Sequence, residues 1–320
     1  MSGTVLLTGA MGYVGGRIAQ TLAEKNSGTL RMASRTPPIH RPVWLARGEM
    51  VALDLFSDED LQKACSGVNC IVHFAAMNEI DCAQYPQQAL QVNGLGTLRL
   101  LQAAISAGVE RFIYFSTAHV YGAPLVGDID EELLPRPIHP YAITHRVAED
   151  FVLAAHDCGD LTGIVVRLSN GLGAPTHPEV NRWTLIGNDL CRQAVQNKEL
   201  TLRSSGLQWR DFVTMTDVGR AVLHLMGLSK SACGNGLFNL GGANSMRIID
   251  LATHIAERCG EVLGYVPPIT RPQPNFSEKD IGLTYRMDKL LSTGFKLSGN
   301  FDEEVDATLR LCNQYFGGAR

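Results

Sequence analysis

Short apolar runs alternate with longer amphipathic ones through the first half of the chain, the pattern that parallel β/α/β units leave in a sequence. Val5-Leu6-Leu7 reads as a strand and residues 13–23 as the helix that follows it. Residues 30–33 and 50–53 predict two more strands. Cys70-Ile71-Val72-His73-Phe74 and Arg111-Phe112-Ile113-Tyr114-Phe115 are fuller apolar runs with polar boundaries, and both predict buried strands. Between them, residues 86–107 space apolar side chains helically, with Pro86 suited to a first turn. Residues 141–155 predict another helix behind Pro135, Pro137 and Pro140, and Ile164-Val165-Val166 closes the repeating unit.

After Gly171 the rhythm breaks. Residues 171–209 hold Pro175, Pro178 and one helical run at 185–195. Residues 211–213 read as a strand returning to the sheet, followed by a helix at 216–226. The stretch 260–285 is rich in Pro and Gly, and 301–315 predicts a last amphipathic helix.

The chemistry begins at the first strand-to-helix turn. Thr8-Gly9-Ala10-Met11-Gly12-Tyr13-Val14-Gly15 sets three glycines at G-x-x-G-x-x-G spacing. Gly9 allows the tight turn, Gly12 lets backbone approach a pyrophosphate, and Gly15 lets helix pack on strand. The helix N-terminus offers free N–H groups and partial positive charge to phosphate, with Tyr13 and Val14 in its first turn. The fold class expected is therefore α/β: a Rossmann-type doubly wound parallel sheet with a smaller C-terminal substrate-binding lobe. Residues 1–170 would form the dinucleotide-binding domain, completed by about 210–240; residues 171–209 and 241–320 would form the lobe. The second strand ends Ser34-Arg35 with no acid to hold a ribose 2′-hydroxyl, whereas Arg35 and Ser34 suit a 2′-phosphate. This favours NADP over NAD, although Arg35 could also stack on adenine.

Composition narrows the partners. A net charge of −4 over 320 residues argues against a nucleic-acid binder. No apolar run approaches a membrane span, and Met1-Ser2-Gly3-Thr4 does not read as a secretory leader. The eight cysteines show no C-x-x-C and no Cys/His cluster, so reduced thiols, no metal and a cytoplasmic location are expected.

Four further segments resemble the extended short-chain dehydrogenases/reductases, the group containing UDP-galactose 4-epimerase and many sugar-nucleotide reductases. They are His73-Phe74-Ala75-Ala76, Phe115-Ser116-Thr117-Ala118-His119-Val120-Tyr121-Gly122, Pro140-Tyr141-Ala142-Ile143-Thr144-His145 and Arg210-Asp211-Phe212-Val213. Tyr285-Arg286-Met287-Asp288-Lys289-Leu290 extends the likeness towards the C-terminus. The resemblance implies that Gly9, Gly12 and Gly15 cradle the pyrophosphate, that Asp54 beside Leu55 reaches adenine, and that Phe74, Ala75 and Ala76 line the nicotinamide side. It implies that Asn93 braces the site, that Thr117 bonds the reacting oxygen, and that Tyr141 exchanges the proton. Asn170 and Arg210 would hold the diphosphate of a nucleotide-diphosphate sugar, with Asp211 steadying Arg210. A turn-capping role for Asn170 and a structural ion pair for Arg210 stand as alternatives. Leu202 lies on an edge expected to contact base or sugar, and His119 is either a sugar contact or a backbone-bonded strand end. Relatives of this kind commonly form homodimers through two helices, here 86–107 and 141–155.

One position departs from the pattern. The family's Tyr-x-x-x-Lys becomes Tyr141-Ala142-Ile143-Thr144-His145. A lysine ~4 Å from the phenol at an effective dielectric of ~20 is worth roughly 4 kcal/mol, about three pKa units. A histidine titrating near 6.5 supplies that only if the site holds it charged. Either Tyr141 works as an acid, or His145 is kept charged, or the chain binds ligand without turnover. Dehydratase relatives carry Asp-Glu where Ala118-His119 stand, which speaks against dehydration. The expectation is an NADPH-dependent reductase of a 4-keto sugar nucleotide; an epimerase and a non-catalytic nucleotide-binding homologue are the alternatives.

Overall fold

The structure is a computed structural model that describes residues 3–25, 28–36, 44–45, 48–275, 278 and 280–318. Among these, seven strands form one parallel sheet: β1 (Thr4–Thr8), β2 (Thr29–Ser34), β3 (Glu49–Ala52), β4 (Cys70–His73), β5 (Arg111–Thr117), β6 (Thr162–Leu168) and β7 (Leu237–Leu240). Their spatial order is 3-2-1-4-5-6-7, so direction of winding reverses between β1 and β4. In such sheets ligands bind outside the carboxyl ends of the strands at that reversal.

Strand residues alternate between two cores. Leu7, Ile113, Phe115 and Val166 face α1 (Tyr13–Lys25) and the helix Met215–Gly227, through Ile18, Leu22, Val218 and Val222. Leu6, Phe112, Tyr114 and Val165 face the opposite layer, where Leu61, Leu100, Ala148 and Val152 meet them. Those residues come from α2 (Asp58–Cys65), α3 (Gly96–Ser106) and α4 (Pro140–Cys158). The doubly wound α/β fold expected from the pattern is therefore the fold observed.

Helices Ile186–Gln196, Ile248–Leu263 and Phe301–Phe316 form a third core through Leu190, Leu251, Ile255, Val305 and Leu309. Two readings from sequence change here. Trp209–Thr214 is a strand, but it pairs with Asn170–Leu172 and Ser245–Arg247 in a separate three-stranded sheet; Leu237–Leu240 is the strand that completes the main one. The segment from Leu283 onward also returns to the larger unit first. Leu283–Tyr285 pairs with Gly127–Ile129, and Met287, Leu290 and Phe295 bury against the first core. Their apolar side chains find a ready groove beside Phe238 and Leu240 before Phe301–Phe316 reaches the third core. No helix among the described residues is long and apolar enough to cross a membrane.

Candidate active site

The glycine turn forms as its spacing demands. Gly9 adopts φ +65°, and a Cβ there would lie 2.8 Å from the backbone at Phe74–Ala75. A Cβ on Gly15 would lie 2.2 Å from the Gly9 carbonyl oxygen. The Gly12 amide closes the turn on that carbonyl at 2.9 Å, and α1 starts at Tyr13 with its first-turn amides free of helical partners. The turn leaves the helix N-terminus uncovered by side chains, the geometry that suits an anion. Tyr13 contributes backbone only: its phenol is buried and donates to the Gly173 carbonyl at 2.7 Å, tying α1 to the 171–173 segment. Val14 packs half-buried against the first core.

At the residues expected to meet adenosine, the chemistry separates. Arg35 stands exposed past β2 with no ion-pair partner among the described residues. Ser34 donates its hydroxyl to the Thr36 carbonyl at 3.2 Å, so its proton is committed locally. Asp54 is exposed and accepts the Phe56 amide at 2.9 Å, capping its own turn instead of presenting both oxygens outward. Leu55 is 8% exposed and packs beneath Gly96, so it shapes the wall from behind.

Behind β4, Thr8 Oγ1 accepts the Phe74 and Ala75 amides at 3.3 Å each and lies 2.6 Å from His73 Nδ1. Phe74 stacks on Phe115 at 4.2 Å, and Ala76 is exposed. Asn93 sits in a π-helical turn, Leu90–Leu95, that bridges Pro86–Ala89 to α3 where sequence periodicity read one unbroken helix. Its carboxamide is fully buried, accepts the Met77 amide at 2.7 Å and donates to Thr144 Oγ1 at 3.0 Å. Both ends are satisfied within the protein, so Asn93 braces the site without contacting a cofactor through its side chain.

Thr117 ends β5, 6% exposed, with Oγ1 accepting the His119 amide at 3.2 Å and its own proton free to donate elsewhere. Tyr141 lies in the first turn of α4, which opens on Pro140, is capped by His139 Nδ1 at 3.2 Å and packs against β5 and the 118–121 turn. His145, one turn on, meets the Tyr141 ring edge-on at 4.4 Å. Its Nδ1 lies 2.6 Å from the Tyr114 hydroxyl, while Nε2 is buried with no hydrogen-bond partner. Burial pushes His145 down to about 3, so a charged imidazole is not what the site holds. Burial, with Glu79 adding to it and Arg182 opposing, lifts the Tyr141 phenol above its ordinary value.

In the 118–121 turn, burial and then the nearby Arg210 hold His119 below its ordinary value. Arg210 is half-buried and donates to Asn170 Oδ1 at 3.3 Å; the Asn170 amide in turn donates to the Asp211 carbonyl at 2.9 Å. Asp211 does not steady Arg210. Its carboxylate faces the other way, accepting Ser169 Oγ and the Gly242 and Asn244 amides. Successive strand residues point to opposite faces, which separates the pair. Leu202 is 4% exposed within the third core, so it supports that lobe and offers no surface to a ligand. Three neighbours of the site were not singled out from sequence: Tyr114, Glu79 and Arg182. Glu79 and Arg182 form a 2.9 Å ion pair that joins the start of the helix Glu79–Gln84 to the 174–183 loop beside Tyr141. Both depend on tertiary register, for which no local pattern exists.

A Rossmann-type sheet with a diphosphate cradle, and a phenol and a hydroxyl at the carboxyl ends of its strands, defines a dinucleotide-dependent class of protein. The chain belongs to the NAD dependent epimerase/dehydratase family, whose model matches residues 5–241, as the motif resemblance implied. It is 28% identical to the dTDP-D-glucose 4,6-dehydratase of Mus musculus over 256 residues, 78% of this chain and 69% of that protein. Its fold matches a UDP-glucuronic acid 4-epimerase from Bacillus cereus in complex with NAD, with TM-score 0.81 and 22% identity over 99% of this chain and 98% of that one. RMD from Pseudomonas aeruginosa, complexed with NADPH, matches with TM-score 0.78 and 23% identity over 98% of each chain.

Proposed function

We propose that this protein is an NADP(H)-dependent reductase of a 4-keto nucleotide-diphosphate sugar. One observation carries the reading: the phenol of Tyr141 has a buried imidazole edge-on at 4.4 Å where the family pattern puts a flexible cation, and burial of that imidazole disfavours its charged form. A phenol so placed stays protonated and suits acid catalysis.

The fit to a nicotinamide dinucleotide rests on the glycine cradle and on the unpartnered His145 Nε2. Gly9, Gly12, Gly15 and the first-turn amides of α1 would hold the pyrophosphate; Arg35 would meet a 2′-phosphate; His145 would bond the nicotinamide ribose. When bound, the reduced cofactor supplies a hydride to the sugar's carbonyl carbon. Thr117 donates a hydrogen bond to the carbonyl oxygen, and Tyr141 gives its proton to that oxygen as it gains the electron pair. The resulting phenolate recovers a proton from solvent between turnovers. Arg210, held by Asn170 and with no carboxylate partner among the described residues, would bind the substrate diphosphate. Residues 171–209 and the later part of 241–320 would form the substrate-binding lobe.

An epimerase is the second reading, favoured by the likeness to the Bacillus cereus fold. It requires Tyr141 to remove a proton first, the step that its environment hinders most. Stoichiometry separates the two: 4-keto nucleotide sugars screened with NADPH and NADH should yield a substrate that consumes NADPH mole for mole. Turnover with no added reduced cofactor would establish the epimerase and overturn the reductase. We also propose a homodimer, since Leu90, Leu95, Ile143 and Phe151 are 38–49% exposed on the adjacent helical segments 86–106 and 140–158. Light scattering at the mass of one chain would refute it.

A further inference from the structure

Two buried histidines flank Tyr114, and their protons can be assigned by accounting for partners. Thr97 donates its hydroxyl to the Asn93 carbonyl at 2.6 Å, so it must accept from His73 Nε2–H at 3.0 Å. His73 Nδ1 is then bare and accepts the Thr8 hydroxyl at 2.6 Å. The same reasoning applies one layer up. Tyr114 is 1% exposed, and the contact to His145 Nδ1 is its hydroxyl's only hydrogen bond among the described residues. With Nδ1–H donating, both the phenol proton and a bare Nε2 would be stranded, whereas with the phenol donating only Nε2–H is; each buried unpaired group costs about 1–3 kcal/mol, so the phenol donates and Nδ1 accepts. The imidazole proton therefore sits on Nε2, the buried atom left without a partner.

We infer that Tyr114 is a positioning residue: it locks His145 as the Nε2–H tautomer, so that a neutral donor, not a cation, meets the nicotinamide ribose. The inference rests on the cofactor reading above and adds to it the device that makes a histidine serviceable at this position. A histidine free to choose would spend part of its time with Nε2 bare, and the hydrogen bond to a ribose hydroxyl would then have to run the other way. The lock fixes the direction of that hydrogen bond and puts no cation one helical turn from Tyr141, consistent with an acid's role.

Long-range proton–nitrogen correlation spectra of histidine-labelled protein read the tautomer directly. The unmodified chain should show His145 as Nε2–H, and Tyr114→Phe should show a mixture. NADPH affinity in Tyr114→Phe should fall by the reciprocal of the fraction left as Nε2–H, about twofold for an even mixture. Binding of 2′,5′-ADP, which lacks the nicotinamide ribose, should not change. In a His145→Ala background the Tyr114→Phe change should have no further effect on NADPH. An Nδ1–H tautomer in the unmodified chain, equal losses for NADPH and 2′,5′-ADP, or additive effects in the double variant would each overturn the inference. Failure of the unmodified chain to bind either NADP or NAD would instead overturn the cofactor reading, and the spectra would still report on Tyr114.

Discussion

His73 and His145 share an environment from which water is excluded, and burial holds each at about 3, far below the ordinary 6.5. Their effect on stability follows in sign. Between pH 6.5 and about 3 the unfolded chain binds protons at these positions and the folded chain does not. The stability they leave intact above pH 6.5 is therefore lost as pH falls, by up to about 1.4 kcal/mol per histidine per unit. Melting temperature should drop steeply from pH 6.5 to 5. His145→Gln, which keeps an acceptor for Tyr114 but cannot titrate, should show a shallower drop; matching slopes would count against buried neutral histidines. His145→Lys tests the catalytic side of the same residue. A cation within ~4 Å of the phenol at a dielectric of ~20 lowers its pKa by about three units. The alkaline limb of the rate profile should move down by more than about one unit, and an unmoved profile would remove the basis for assigning Tyr141 as an acid.

At the scale of elements, the glycine turn shows which features a sequence can carry on its own. Gly15→Ala sets a methyl 2.2 Å from the Gly9 carbonyl oxygen, backbone against backbone with no flexible side chain to yield. Strain of this kind costs roughly 1–3 kcal/mol, and the displaced first turn of α1 should lose dinucleotide affinity together with stability. Calorimetry on the variant with NADP would show both, and retained binding would mean that the turn is not the cradle. That loop, the strand alternation and the Thr117 and Tyr141 motifs were legible because each is local: a spacing, a period, a cap. Properties that need two distant segments were not. His145 was visible as an oddity, but its Tyr114 partner lies 31 positions away and depends on how α4 sits on β5. The strand at 209–214 was visible too, yet its place in a separate sheet follows from pairing with Asn170–Leu172. Asp54, Ser34 and Leu202 had suitable chemistry or position, and each is committed to a local turn or a core.

Across the whole molecule, two ion pairs tie the sheet to the third core's segments, and their surroundings give them different work. Arg17 on α1 grips Glu304 with two hydrogen bonds, and Glu304 also accepts the Thr216 amide and hydroxyl; its side chain is 5% exposed. Glu79 and Arg182 are 38% and 23% exposed and stand beside Tyr141 and His119. Removing one partner of a buried pair leaves a charge stranded and costs about 3–5 kcal/mol, whereas an exposed pair is worth about 0–1 kcal/mol. Glu304→Gln should therefore lower the melting temperature by several degrees. Glu79→Gln should barely move it, and should instead raise KM for the nucleotide sugar, because the pair joins the start of the helix Glu79–Gln84 to the 174–183 loop beside Tyr141. The comparison is decisive because both variants remove one carboxylate charge. If Glu79→Gln loses as much thermal stability as Glu304→Gln while KM is unaltered, the exposed pair is a structural fastening and the route to Tyr141 lies elsewhere.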